Sequence, residues 1–172
     1  MRILGAALLA SALALGCKPG PDKFPEMALY ADGLDSLRSM LTQTGVSIDP
    51  AISVDGRGSL RIDASGERTV VHIADVPIDA PGLRRLAYRA RLRSQNVTGK
   101  AYLEMWVVVA GKGELVSRTL HSVISGTTEW STHEAPFFLE ADQQARFAKL
   151  NVVVEGSGSV WVDGVSLRAA KQ

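Results

Sequence analysis

Tyr102, Glu104 and Trp106, in the run KAYLEMWVVVA, are the residues of this chain best suited to recognising another molecule. Two aromatic rings and a carboxylate at alternate positions share one side of a β-strand, because successive side chains point to opposite faces. A sugar presents an apolar C–H face and a rim of hydroxyls, and such a row suits both. Arg89 and Arg91 in RRLAYRARLRS, and Asn151 and Glu155 in AKLNVVVEG, have the parity to extend the row from neighbouring strands. The same residues also read as a salt-bridged solvent face, where cross-strand Arg–Glu pairs contribute modestly. Nothing points to catalysis. There is no G-x-S-x-G elbow, and no carboxylate pair is distinguished by its spacing. His72, His121 and His133 are far apart, with no histidine or cysteine at metal-ligand spacing.

The elements that would hold this row follow from period and punctuation. From Ser53 onward, short runs rich in Val, Ile, Leu, Tyr and Trp alternate with turns such as DGRG (55–58), DAPG (79–82), AGKG (110–113) and EGSGS (155–159). Eight strands are expected: SLRID, RTVVHIAD, RRLAYRARLRS, KAYLEMWVVVA, ELVSRTLHSV, EWSTHEAPFFLE, RFAKLNVVVEG and SVWVDGVSLRA. The spacing predicts an all-β, antiparallel two-sheet sandwich. Leu103, Met105, Val107 and Val109 form one core face. Leu86, Tyr88, Ala90 and Leu92 form another, and Leu150, Val152 and Val154 a third. Residues 33–44 place Leu34, Leu37, Met40 and Leu41 at helical spacing, so a short N-terminal helix is expected there, with a strand into GVSID (45–49) as the alternative. Trp130 is expected in the core. Trp161, Asp163, Val165 and Leu167 share a parity in the last strand.

The N-terminus addresses the chain. Arg2 precedes an apolar stretch from Ile3 to Gly16, about 21 Å long as a helix and too short for a comfortable bilayer span. It reads as a secretory signal peptide. The run Ala14-Leu15-Gly16-Cys17 resembles the lipobox of bacterial lipoproteins, with Ala14 where leucine is usual. The resemblance implies cleavage before Cys17, the only cysteine, and its lipidation. Lys18 rather than aspartate follows, which leans toward the outer membrane. The expected organisation is a signal peptide (1–16), a tether (17–32) with three prolines, and a sandwich domain (33–172) with its core at about 45–170. Without Arg2, 18 cations balance 18 acids, and no basic block marks nucleic-acid binding.

Residues 45–170 resemble the jelly-roll carbohydrate-binding modules of the galactose-binding-like group. DGRGSLRI (55–62), GTTEW (126–130) with PFFLE (136–140), and GSGSVWVDGVSL (156–167) carry the likeness. It implies a jelly-roll fold. It also implies that Asp163 helps hold a structural Ca2+, with Asp55 and Asp49 as available partners. The plain alternative is that Asp163 caps a turn before Gly164. These readings together describe a non-catalytic, membrane-anchored envelope lipoprotein that binds a glycan or similar polar ligand. The alternative is a structural or protein-interaction module of an envelope complex.

Overall fold

A computed structural model describes residues 25–38 and 40–171; the segment expected to be a signal peptide and Cys17 lie outside them. Among the described residues, nine strands run β1 (Glu26–Asp32), β2 (Val46–Asp49), β3 (Ser59–Ser65), β4 (Thr69–Pro77), β5 (Leu83–Val109), β6 (Gly113–Arg118), β7 (Ile124–Phe138), β8 (Ala145–Glu155) and β9 (Ser157–Lys171). All the pairings are antiparallel. They form one curled sheet whose halves stack as two layers. The first layer is β2–β3–β9–β5–β7, with β1 lying beside the C-terminal half of β9. The second is β4–β8–β5–β6.

β5 belongs to both layers. Its residues 83–95 lie between β7 and β9, and its residues 100–109 lie between β6 and β8. The two strands expected at 84–94 and 100–110 are therefore one bent element. The bend centres on Asn96, whose φ is +55°. The β8–β9 turn packs directly into this bend. A Cβ on Gly99 would stand 2.2 Å from the Glu155 carbonyl oxygen, and one on Gly158 would stand 2.6 Å from that of Asn96. The glycines of EGSGS serve this close crossing of backbones.

The expected zigzags fill the space between the layers. Leu86, Tyr88, Ala90 and Leu92 from one layer meet Leu103, Met105, Val107, Val109, Leu150, Val152 and Val154 from the other, all buried. Burial of this apolar area is the main force closing the sandwich.

Four expectations about elements and burial need correction, and the parity of the last strand is a fifth. No helix forms at 33–44 among the described residues. Leu34 has φ +58°, which a right-handed helix forbids, and Asp32 Oδ1 accepts its N–H at 2.7 Å. Leu34 and Met40 are buried all the same, and Leu37 between them packs against the core, so the three residues at three-residue spacing anchor an irregular segment; the alternative strand forms at β2. Second, Glu26–Asp32, read as part of the tether, is β1, paired along β9. Third, ELVSRTLHSV is a strand only to Arg118. Thr119 then turns inward, donating its N–H to Leu103 O and accepting the Leu103 N–H on Oγ1. Fourth, Trp130 is half-buried and outside the core cluster.

β9 breaks the parity assigned to it. Val160 and Val162 point inward, then Gly164 (φ +59°) forms a bulge, and Val165, Leu167 and Ala169 point inward beyond it. Trp161 and Asp163 therefore face the opposite way from Val165 and Leu167.

Candidate functional site

The outer face of the second layer carries Tyr102, Glu104 and Trp106, opposite in parity to the buried Leu103, Met105 and Val107. Register sets their neighbours. Glu104 stands opposite Asn151 on β8 and Arg118 on β6, and Trp106 opposite Lys149 and Val116. The row expected from the sequence is thus assembled with Asn151 and Glu155.

Glu104 is the hub. It is 2% exposed, and its carboxylate accepts from Arg118 Nε at 2.6 Å, from Trp106 Nε1 at 2.9 Å and from Arg68 at 3.2 Å. Asn151 Nδ2 lies 3.5 Å away. Burial works to raise its pKa. The hydrogen bonds from Arg118 and Trp106 and the charges of Arg118 and Arg68 outweigh it and hold the acid below its ordinary value. Glu104 is therefore an ionised, buried anchor that orients two guanidinium groups and one indole.

The aromatic rings are fixed in the same way. Tyr102 is buried and donates its hydroxyl to Glu155 Oε1 at 2.8 Å, and Lys100 binds the other oxygen of Glu155 at 3.2 Å. Burial and the Glu155 carboxylate push the phenol up. Trp106 is half-buried, with the Arg118 guanidinium 6.0 Å from its ring centroid. The row that alternation turned outward is thus partly roofed by its own cations. Arg118 and Arg68 use only some of their N–H groups on Glu104 and are exposed by about a third to a half.

Arg68 and Arg118 are site residues that the sequence reading did not assign. The hairpin turn AGKG carried the signal for Arg118: pairing Val109 with Gly113 brings Glu104 opposite Arg118. Arg68 has no such local signal, because it reaches Glu104 from the residue just before β4, two strands away.

Arg89 and Arg91 are not part of this face. They precede the β5 bend and lie in the first layer. Arg89 is tied there to Glu26 at 2.8 Å and to Glu134. The adjacency inferred for them fails because β5 changes layers between residues 95 and 100.

The three acids considered for Ca2+ do not converge on a shared ion. Asp49 accepts from Trp161 Nε1 at 2.9 Å and from the N–H groups of Ala51 and Ile52. Asp55 is paired with Arg57 at 2.5 Å. Asp163 is 3% exposed and accepts the Val54 N–H at 2.7 Å. Among the described residues, no three His, Cys, Asp or Glu side chains gather as a metal site. Asp163 instead joins the β9 bulge to the loop before β3.

Neither any family model nor any curated protein matches the chain. Solved structures do. A xylan-binding domain of carbohydrate-binding module family 22 superimposes with a TM-score of 0.56 at 11% identity, covering 88% of this chain and 99% of that one. The family 22 xylan-binding domain from Paenibacillus barcinonensis gives 0.54 at 12% identity, covering 85% and 96%. A family 16 carbohydrate-binding module gives 0.52 at 10% identity, covering 78% and 92%. The chain shares the jelly-roll fold of these modules, and at such identities the likeness speaks for the fold.

Proposed function

We propose that this protein is a non-catalytic binding module, held at a bacterial cell envelope through lipidated Cys17, whose β4–β8–β5–β6 face binds a glycan. The observation that carries this reading is the Glu104 hub. A buried, ionised carboxylate holds the Trp106 indole and the Arg118 and Arg68 guanidinium groups in fixed positions, with N–H donors left over at the surface. Preorganised donors beside an aromatic ring match the hydroxyl rim and C–H face of a sugar at reduced entropic cost. Sharing a fold with xylan-binding domains and other carbohydrate-binding modules adds support. The absence of a basic block and the lipobox-like run at Cys17 favour an envelope ligand over nucleic acid.

The test is affinity electrophoresis against a panel of envelope and plant polysaccharides, with wild type beside Trp106→Ala. Retention on one polysaccharide class, weakened about tenfold or more by the substitution, is expected. Uniform lack of retention would remove the reading.

One observation favours a second reading. Leu115 and Val116 on β6, and Leu120 and Val123 in the turn after it, are exposed, and Val116 pairs directly with Trp106. Such apolar surface at an edge strand suits an envelope protein partner. A stoichiometric partner recovered from detergent-solubilised envelope, and lost on Val116→Lys, would support this reading over the first.

A further inference from the structure

A concave feature lies on the other layer. A cleft of about 460 Å³ opens where the end of β1, the loop before β3 and the β9 bulge meet, lined by Asp32, Asp55, Arg57, Arg91, Asp163 and Arg168. The volume is within the range of small-molecule sites. The room comes from small neighbours in its wall: Ala31, Gly33, Gly164 and Ser166.

Its charges are unevenly satisfied. All three carboxylates have donors of their own. Asp55 is paired with Arg57, Asp163 accepts the Val54 N–H, and Asp32 holds the Leu34 N–H and the Tyr30 hydroxyl. Two of the arginines have nothing comparable. Arg91 faces Asp163 in strand register but, among the described residues, makes no ion pair, and its buried Nε meets no acceptor. The other half-buried arginines, Arg61, Arg84, Arg85, Arg89 and Arg93, each reach a carboxylate or a carbonyl. Arg168 is exposed on the same wall, and no side-chain partner meets it among the described residues. A buried N–H donor left unpaired carries a desolvation cost that an incoming acceptor would remove.

We propose that this cleft binds the carboxylate of an acidic sugar, with Arg91 and Arg168 as the donors. A carboxylate matches the planar guanidinium fork and takes charge-assisted hydrogen bonds from it. The space exceeds what a bare oxyanion needs and admits a sugar ring. Asp32 and Asp55 on the rim supply acceptors for ring hydroxyls, whereas a doubly charged phosphate would be repelled by them. The site lies on the opposite layer from Trp106 and stands or falls independently of it.

The experiment is a ligand-observed NMR titration of the detergent-solubilised full-length protein with glucuronate and galacturonate, their neutral parents glucose and galactose, sodium sulfate, and calcium chloride. A uronate is expected to bind at least about tenfold more tightly than its neutral parent. Arg91→Met and Arg168→Met should each weaken it by about tenfold, while Arg146→Met, at an exposed arginine elsewhere, should not. If Arg91→Met disturbs folding, the exposed Arg168→Met carries the test. Equal binding of acid and neutral sugar, binding that survives both substitutions, sulfate binding as tight as uronate, or calcium that occupies the cleft and displaces uronate would each overturn the proposal.

Discussion

Trp106 Nε1 donates to Glu104 Oε1 at 2.9 Å, two residues back along the same strand, and the acceptor is almost wholly buried while the indole is half-exposed. One side chain thus anchors in the protein and the other meets solvent. Arg118 and Arg68 complete the anchor, so the aromatic surface inherits its orientation from a charge beneath it.

Glu104→Gln should therefore destabilise the fold by about 1–3 kcal/mol, the usual worth of charge-assisted hydrogen bonds to a buried group. Urea unfolding should show a lower midpoint with an unchanged slope. Trp106 fluorescence should shift red as the ring loosens. A midpoint equal to wild type would show that the hub contributes nothing.

Acid should act through the same residue. The folded-state pKa of Glu104 lies below its ordinary 4.5, so the stability it contributes is present above that value. It is lost as pH falls through the depressed folded-state value. The stability difference between wild type and Glu104→Gln should shrink on acidification from pH 5 toward pH 3, as read by thermal unfolding.

Asp163 should behave in the opposite sense. Burial, then the nearby Asp55 and Asp35 charges, raise its pKa above the ordinary 3.8, against hydrogen bonds from Val54 and Gly164 that lower it. Its raised folded-state pKa means that its protonation favours the fold below the ordinary value, and this gain is lost as pH rises through the folded-state value. Asp163→Asn keeps an acceptor for the Val54 N–H and removes the charge. It should match or exceed wild-type Tm at pH 7 and lose that advantage near pH 3. A large loss of Tm at pH 7 would show the charge to be stabilising.

Gly158→Ala should be severe. The added methyl meets Asn96 O at 2.6 Å and Val97 Cα at 2.7 Å, both backbone positions, in a residue with φ +131°. Gly111→Ala shares only a positive φ, +73°, with open space around it, and should cost about 1 kcal/mol. Denaturation midpoints should separate the two clearly; equal losses would mean that the β5 bend yields at little cost.

Cys17→Ser should release the protein from the membrane fraction of the native host, since several acyl chains are needed for stable anchoring. Fractionation that leaves the variant membrane-bound would remove the lipid anchor from the proposed function.

The faces of β5 and β8 were readable from the spacing alone. Alternation is a local property, so Leu103, Met105 and Val107 could be turned inward and Tyr102, Glu104 and Trp106 outward from spacing alone. The same reasoning went wrong where backbone conformation interrupted the count. At Gly164, one left-handed residue reverses every later side chain of β9. At 33–44, apolar spacing was met by an irregular segment with Leu34 at positive φ.

What the sequence by itself determined is the antiparallel sandwich, its turns, and the two-faced character of its strands, because period and punctuation act over a few residues. What only the tertiary structure decided is which polar residues stand together. The β5 bend at Asn96 sends Arg89 and Arg91 to one layer and Glu104 to the other, and Arg68 reaches Glu104 from the turn before β4. Strand partnership brings together residues far apart in the chain, chosen by the closure of the whole core, and a period of two contains no record of it.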